Sequence, residues 1–230
     1  MTPSDPDQLP ANARLGVLEA RPDPETDGAV WPGGLHHPFG SGGPTLFLPS
    51  RRAPSPMPFV LLLHGAGGDP ARMLPLLEEE AERRGIVVLA PKSAGPTWDV
   101  LRGGFGPDVE AIDIALDAVF SRFPIDPDRV AIGGFSDGAS YALSLGVTNG
   151  DLFTRILAFS PGFLVSRVRA GRPSVFVSHG TADPVLTIDR CSRRLVPRLR
   201  EEGYDVDYRE FAGRHEVPLE QVRAALDGFA

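Results

Sequence analysis

Cysteine and lysine are nearly missing from this 230-residue chain. Cysteine occurs once, at Cys191, which excludes an intrachain disulfide and fits a reducing compartment. Lysine also occurs once, at Lys92, so 22 of the 23 basic side chains are arginine; this is a bias of composition and not a chemical signal. No apolar run approaches the roughly 20 residues that cross a bilayer. The opening residues MTPSDPDQLP lack the basic region and apolar run of a secretory leader. A cytoplasmic protein without a membrane span is expected. An excess of positive charge is missing too: the formal net charge is −7, which argues against a nucleic-acid partner.

What is present reads as an ordinary globular chain, 42% hydrophobic and 23% charged. Residues 1–13 are polar and proline-rich and are expected to form a mobile tail, with a single domain over residues 14–230. Arg14–Arg21 and Thr45–Pro49 read as two opening strands. Between them lies a Gly- and Pro-rich loop holding Trp31 and the pair His36-His37, and a Pro-rich connector, Ser50–Pro58, follows. From there, apolar runs alternate with helical patterns. The runs are Phe59–Leu63, Ile86–Ala90, Val130–Ile132, Ile156–Phe159, Val175–Val177 and Val206–Phe211. The first five are nearly continuous in apolar residues, as in strands buried on both faces of a parallel sheet. The last alternates, as an edge strand does. Helices are expected over Asp108–Phe123, where Val109, Ile112, Leu116, Val119 and Phe123 recur at spacings of three and four. Others are expected near Ile188–Glu202, kinked at Pro197 and stopped at Gly203, and near Pro218–Phe229. A less regular helix follows Asp69 and is interrupted at Pro75. Alternating strands and helices give an α/β fold, a mostly parallel central sheet with helices on both faces.

The chemistry concentrates in VAIGGFSDG, residues 130–138. Gly134-Phe135-Ser136-Asp137-Gly138 matches G-x-S-x-G, a weak pattern alone but a specific one when a buried strand precedes it and a helix follows. Such a turn lifts the serine hydroxyl above the sheet, and side chains on the two glycines would crowd it. Upstream, LLLHGAGGDP (residues 61–70) ends a buried strand in a glycine-rich turn. An oxyanion needs two preorganised N–H donors; Asp137 and Ala66 are the candidates. The loop lacks the G-K-[ST] of a phosphate-binding loop, and His64 reads as a structural residue beneath it. A serine nucleophile needs a base, and the base an orienting acid, in chain order Ser, acid, His. His215 follows the last strand, and Asp183 lies in SHGTADPV after the preceding one. His179 ends a strand before any plausible acid loop. Asp207 and Glu216 are rival acids, the first within a strand and the second adjoining the base.

Together LLLHGAGG, APKSAGPTWD, IGGFSDGAS, VSHGTADPV and GRHEVP resemble the phospholipase/carboxylesterase branch of the α/β-hydrolases, from about Pro58 to the C-terminus. That branch includes acyl-protein thioesterases and lies near the dienelactone hydrolases. The resemblance implies an α/β-hydrolase fold and serine esterase activity with no metal and no organic cofactor. Dienelactone hydrolases carry a cysteine where this chain has Ser136, which favours the esterase side. Residues 160–174 are too short for a cap domain, so an open, shallow site is expected. Trp98, Phe105, Val185 and Leu186 are candidates for the acyl wall. The expected activity is hydrolysis of small carboxylic esters, short acyl or aryl, through an acyl-enzyme. An acyltransferase or thioesterase on the same machinery, and a non-catalytic binding module, are the competing readings. The partner is a small-molecule ester; a monomer and a homodimer fit equally. His36-His37, without acids at ligand spacing, is a weak metal signal. The arginines at 190, 193, 194, 198 and 200 read as the solvated face of a helix.

Overall fold

The structure, a computed structural model, describes residues 9–26, 35–38, 43–50 and 55–230. Eight strands form one sheet in the order β1-β2-β4-β3-β5-β6-β7-β8: β1 (Leu35–Pro38), β2 (Thr45–Leu48), β3 (Met57–Leu63), β4 (Val87–Ala90), β5 (Ile125–Phe135), β6 (Arg155–Phe159), β7 (Ser174–Gly180) and β8 (Val206–Phe211). The first two pair antiparallel and β2 runs antiparallel to β4. From β4 to β8 every pairing is parallel. This is the α/β-hydrolase fold.

The unbroken apolar runs follow from burial on two faces. Along β3, Phe59, Leu61 and Leu63 belong to one core and Val60 and Leu62 to the other. The first core is closed by α1 (Ala11–Leu15), α4 (Pro107–Phe120), α5 (Asp137–Thr148) and α6 (Ser192–Glu201). The second is closed by α2 (Pro70–Met73), a short 3-10 turn at Leu74–Leu76, α3 (Glu78–Arg84) and α7 (Leu219–Leu226). Strand β8 covers one outer edge, and the alternation expected there holds only through its first half: Val206 is buried and Tyr208 half-buried against exposed Asp207 and Arg209, but Glu210 is exposed and Phe211, on the other face, is buried. The long parallel strands all end at the same edge, and the loops leaving that edge carry the residues singled out by motif.

The N-terminal expectation fails in part. Arg14–Arg21 is not a strand. It begins in α1, turns at Gly16 (φ 77°) and runs on as an extended segment outside the sheet. Its amides are taken by side chains. Asn149 Oδ1 accepts from Leu18 N, while Asp113 Oδ1 accepts from Glu19 N and Ala20 N. The segment thus satisfies its backbone without a ladder, and Leu18 is fully buried beneath it. His36-His37 lies in strand β1 and not in a loop. Trp31, residues 1–8 and part of the Ser50–Pro58 connector lie outside the described residues. Helix α6 starts at Ser192, after a turn holding Ile188 and Cys191, and continues through Pro197 to stop before Gly203 at φ 85°. Pro75 falls in the 3-10 turn between α2 and α3.

One buried polar cluster braces the sheet edge. Asp99 Oδ1 accepts from Tyr141 Oη at 2.8 Å, and its Oδ2 accepts from the amides of Gly106 and Asp108 at 2.9 Å. Asp108, at the start of α4, accepts from Ala94 N at 2.7 Å and Asp99 N at 2.8 Å. Both carboxyl groups are buried. Burial first, and the neighbouring Asp108 charge second, push Asp99 up to about 6. Between the ordinary carboxylate range and that value the folded protein holds a proton that the unfolded chain has released. Stability from this group therefore falls as pH rises from about 4 to about 6. Wild type should accordingly lose Tm relative to Asp99→Asn between about pH 5 and about pH 7, as thermal unfolding at the two pH values will read. Parallel Tm changes in the two proteins would contradict the buried, proton-holding carboxyl.

Candidate active site

Strand β5 ends at Phe135 and α5 begins at Asp137, so Ser136 alone makes the turn. Its backbone sits at φ 59°, ψ −120°, a conformation that costs a non-glycine residue roughly 1–3 kcal/mol. The surroundings hold it there. Ser136 N donates to Phe159 O of β6 at 2.9 Å, and Ser140 N closes onto Ser136 O at 3.1 Å. The flanking glycines answer a close approach of backbones. A Cβ on Gly138 would come within 2.3 Å of Leu63 O and 2.5 Å of His64 O, and one on Gly134 within 2.5 Å of the Gly138 backbone. The motif is therefore a packing requirement between β3, β5 and α5.

The loop after β3 lies against this turn. A Cβ on Gly65 would meet Ser136 Cβ at 3.4 Å. Gly67 N donates to Pro96 O at 2.6 Å and Gly68 N to Gly65 O at 3.0 Å. Among the described residues the amides of Ala66 and Asp137 have no acceptor. The second is the first residue of α5, where intrahelical partners are lacking. Two free amides thus lie on the two segments that meet at Ser136. The Asp137 side chain is held away by Thr97 Oγ1, which donates to it at 2.8 Å. His64 is the structural residue expected. Its Nε2 accepts from Ser93 N at 3.1 Å, so Nδ1 carries the proton and donates to Gly65 O at 2.8 Å. Burial holds its pKa below the usual histidine range, against the opposing pull of Gly65 O and of Asp108.

Ser136, His215 and Asp183 are brought together. His215 Nε2 lies 2.8 Å from Ser136 Oγ, and His215 Nδ1 lies 2.6 Å from Asp183 Oδ2. The loops after β7 and β8 run side by side to achieve this. Thr181 N donates to Phe211 O and Ala182 N to Gly213 O, each at 2.9 Å. A Cβ on Gly180 would strike Arg214 O at 2.2 Å. Asp183 Oδ1 accepts from the amides of Val185 at 2.8 Å and Leu186 at 2.9 Å. Burial works to raise the Asp183 pKa, but hydrogen bonds from His215, Leu186 and Val185 outweigh it and hold the carboxyl below its ordinary range. The rival acids are engaged elsewhere: Asp207 pairs with Arg209, and Glu216 Oε1 accepts from Arg214 N at 2.9 Å.

The acyl-wall candidates separate. Trp98 is fully buried, stacked on Tyr141 at 5.0 Å, and donates from Nε1 to His64 O at 2.8 Å. It supports the oxyanion loop from below and presents no surface to a ligand, which corrects the expectation for it. Phe105 packs on Tyr141 at 5.7 Å and under Gly16, at the border of a surface cavity of about 340 Å³. Val185, 64% exposed, and the half-buried Leu186 sit on the acid loop. Sequence reasoning rejected His179 as the base and gave it no other role; it lies buried beneath Asp183. It passed over a hydroxyl stripe on α5. Ser140, Ser144 and Thr148 each bond the carbonyl four residues back, and Ser140 and Ser144 also accept from Gly162 N and Val165 N. The four-residue spacing was legible; its loop partner was not. Among the described residues no group of His, Cys, Asp or Glu is arranged to hold a metal, and no helix is long and apolar enough to cross a membrane.

The fold and this edge define an α/β-hydrolase. The family model of phospholipases/carboxylesterases matches residues 108–228, over half of the chain, and the protein belongs to that family. Residues of the chain are 34% identical to acyl-protein thioesterase 1 of Neurospora crassa over 115 positions, 45% of this chain and 46% of that protein, so the chain spans about half of that relative's length. Esterase PE8 superposes with a TM-score of 0.65 at 20% identity, over 79% of this chain and 94% of that one. A Bacillus cereus carboxylesterase superposes with a TM-score of 0.64 at 21% identity, over 81% and 92%. These two likenesses are of fold.

Gly138→Ala should lower unfolding free energy by at least about 1–3 kcal/mol, read as a shifted urea midpoint. Wild-type stability in that variant would mean that the β3–α5 approach is looser than described.

Proposed function

We propose that the protein is a serine hydrolase that cleaves small carboxylic esters through an acyl-enzyme on Ser136. The observation that carries this reading is the continuous chain of contacts from Ser136 Oγ through the His215 ring to Asp183 Oδ2, set between two unused amides. His215 Nε2 takes the hydroxyl proton as Ser136 attacks the ester carbonyl. The Ala66 and Asp137 amides hold the oxyanion, the largest single contribution in such sites. His215, now cationic beside the Asp183 carboxylate, returns the proton to the departing alcohol. Water deprotonated by the same imidazole then releases the acid.

Size selection follows from what borders the hydroxyl. The residues between β6 and β7 form an irregular loop with no inserted helix, which supports an open site and short acyl or aryl groups. Val185 and Leu186, apolar and partly exposed on the acid loop, are the proposed acyl wall. A thioester is the second reading, favoured by the likeness to acyl-protein thioesterase 1; the acyl-enzyme would be the same and only the leaving group would differ.

Ser136→Ala should reduce hydrolysis of p-nitrophenyl acetate and butyrate by roughly a thousandfold or more, without changing Tm downward. A serine-directed phosphonate should add its mass to the peptide holding Ser136. A chain-length series peaking at short esters is expected; a peak at long chains, or an active Ser136→Ala protein, would sink the proposal. Matched thioesters in the same series separate the two readings.

A further inference from the structure

The acid loop has a second imidazole under it. His179, in the last turn of β7, is fully buried. Its Nε2 lies 2.7 Å from Leu186 O and 3.2 Å from Asp183 Oδ2, and its Nδ1 lies 2.6 Å from Ser192 Oγ. These partners fix the proton. A carbonyl and a carboxylate can only accept, so Nε2 carries the hydrogen. Nδ1 then accepts from the Ser192 hydroxyl. Asp183 Oδ2, the oxygen that receives the His215 proton donor, therefore has the same N–H as a second, longer neighbour on its buried side, the shorter bond going to Leu186 O.

We infer that His179 is a positioning residue for the acid: its Nε2–H, locked in one tautomer by Ser192, fixes the Asp183 carboxylate to the Leu186 end of its own loop and shares the oxygen that orients His215. This rests on the triad reading above. The argument is one of counting donors. Asp183 is buried and charged, and a buried charge survives only when its lone pairs are occupied. Oδ1 has the Val185 and Leu186 amides; Oδ2 has the partly exposed His215 at 2.6 Å and, at 3.2 Å, the fully buried His179 N–H that it shares with Leu186 O. Without His179, the ring of His215 would be the sole partner of Oδ2, and any rotation of that ring would leave the oxygen bare. Burial lowers the His179 pKa against the pull of Leu186 O and Asp183, so the ring stays neutral as the lock requires. The other ionisable groups facing this cluster are His215 from the β8 loop, Glu210 as the register partner in β8, already paired with Arg193 of α6, and Cys191 ahead of α6.

Three measurements test it. In protein with ¹⁵N-labelled histidine, His179 should show a protonated Nε2 and an unprotonated Nδ1 from about pH 7 to about pH 9. A ring that titrates in that window or carries its proton on Nδ1 overturns the lock, whether or not Ser136 proves to be the nucleophile. His179→Leu should lower kcat by roughly 10- to 100-fold with KM nearly unchanged. His179→Gln, whose amide N–H reaches the same place, should restore most of the loss. Ser192→Ala, a smaller change that keeps the ring, should lower kcat by less, again with KM nearly unchanged. An unchanged kcat, or a loss carried by KM alone, in both His179→Leu and Ser192→Ala overturns the positioning role. Equal losses in His179→Leu and His179→Gln do the same.

Discussion

The structure depends on how closely the end of β3 approaches the start of α5. The carbonyls of Leu63 and His64 occupy the space that a side chain on Gly138 would need. This contact fixes the strand that leads to the oxyanion loop and the helix that follows Ser136 as one body. The strained backbone of Ser136 is affordable because it is over-determined. Hydrogen bonds to β6 and within the first helical turn hold it from two sides, and neither can relax without opening the sheet edge.

Around that contact, each loop at the edge is held by a buried polar group. His64 ties the loop after β3 to Ser93. The Asp99–Asp108–Tyr141 cluster ties the segment after β4 to α4 and α5. His179 and Ser192 do the same for the acid loop. A buried polar group is costly when unpaired and directional when paired. Three such clusters convert irregular loops, which would otherwise be the most mobile parts of the chain, into fixed frames for the donors and the imidazole. The outer face of the chain end is secured more conventionally, by Glu80 held between Arg83, Arg84 and Arg223.

The sheet was legible because its central strands are buried on both faces, and apolar runs of three to five residues set between helical patterns have few other uses. The serine turn was legible because it demands glycines at 134 and 138 that can be seen. What the sequence hid were partnerships across long separations. Nothing in Arg14–Arg21 shows that Asn149 and Asp113, more than ninety residues away, take its amides in place of a neighbouring strand. Trp98 in a proline- and glycine-rich segment looks like a surface aromatic. Its indole N–H finds His64 O and its ring finds Tyr141, and these two contacts draw it into the core. The contacts of His179 with Leu186 O and Ser192 Oγ appear only when β7 and the loop after it fold back on each other.

The hydroxyl stripe on α5 has a consequence for reaction partitioning. Ser140 and Ser144 zip the Gly162–Val165 backbone to the nucleophile helix, and Thr148 reaches Ser166 one turn further on. The segment that carries a movable cover in larger hydrolases is here stitched down along its length. On the proposed reading, an acyl group on Ser136 would receive no cover from this segment. No closing step would precede chemistry, no opening step would delay departure of the acid, and a competing alcohol would have to reach the ester carbon ahead of the surrounding water.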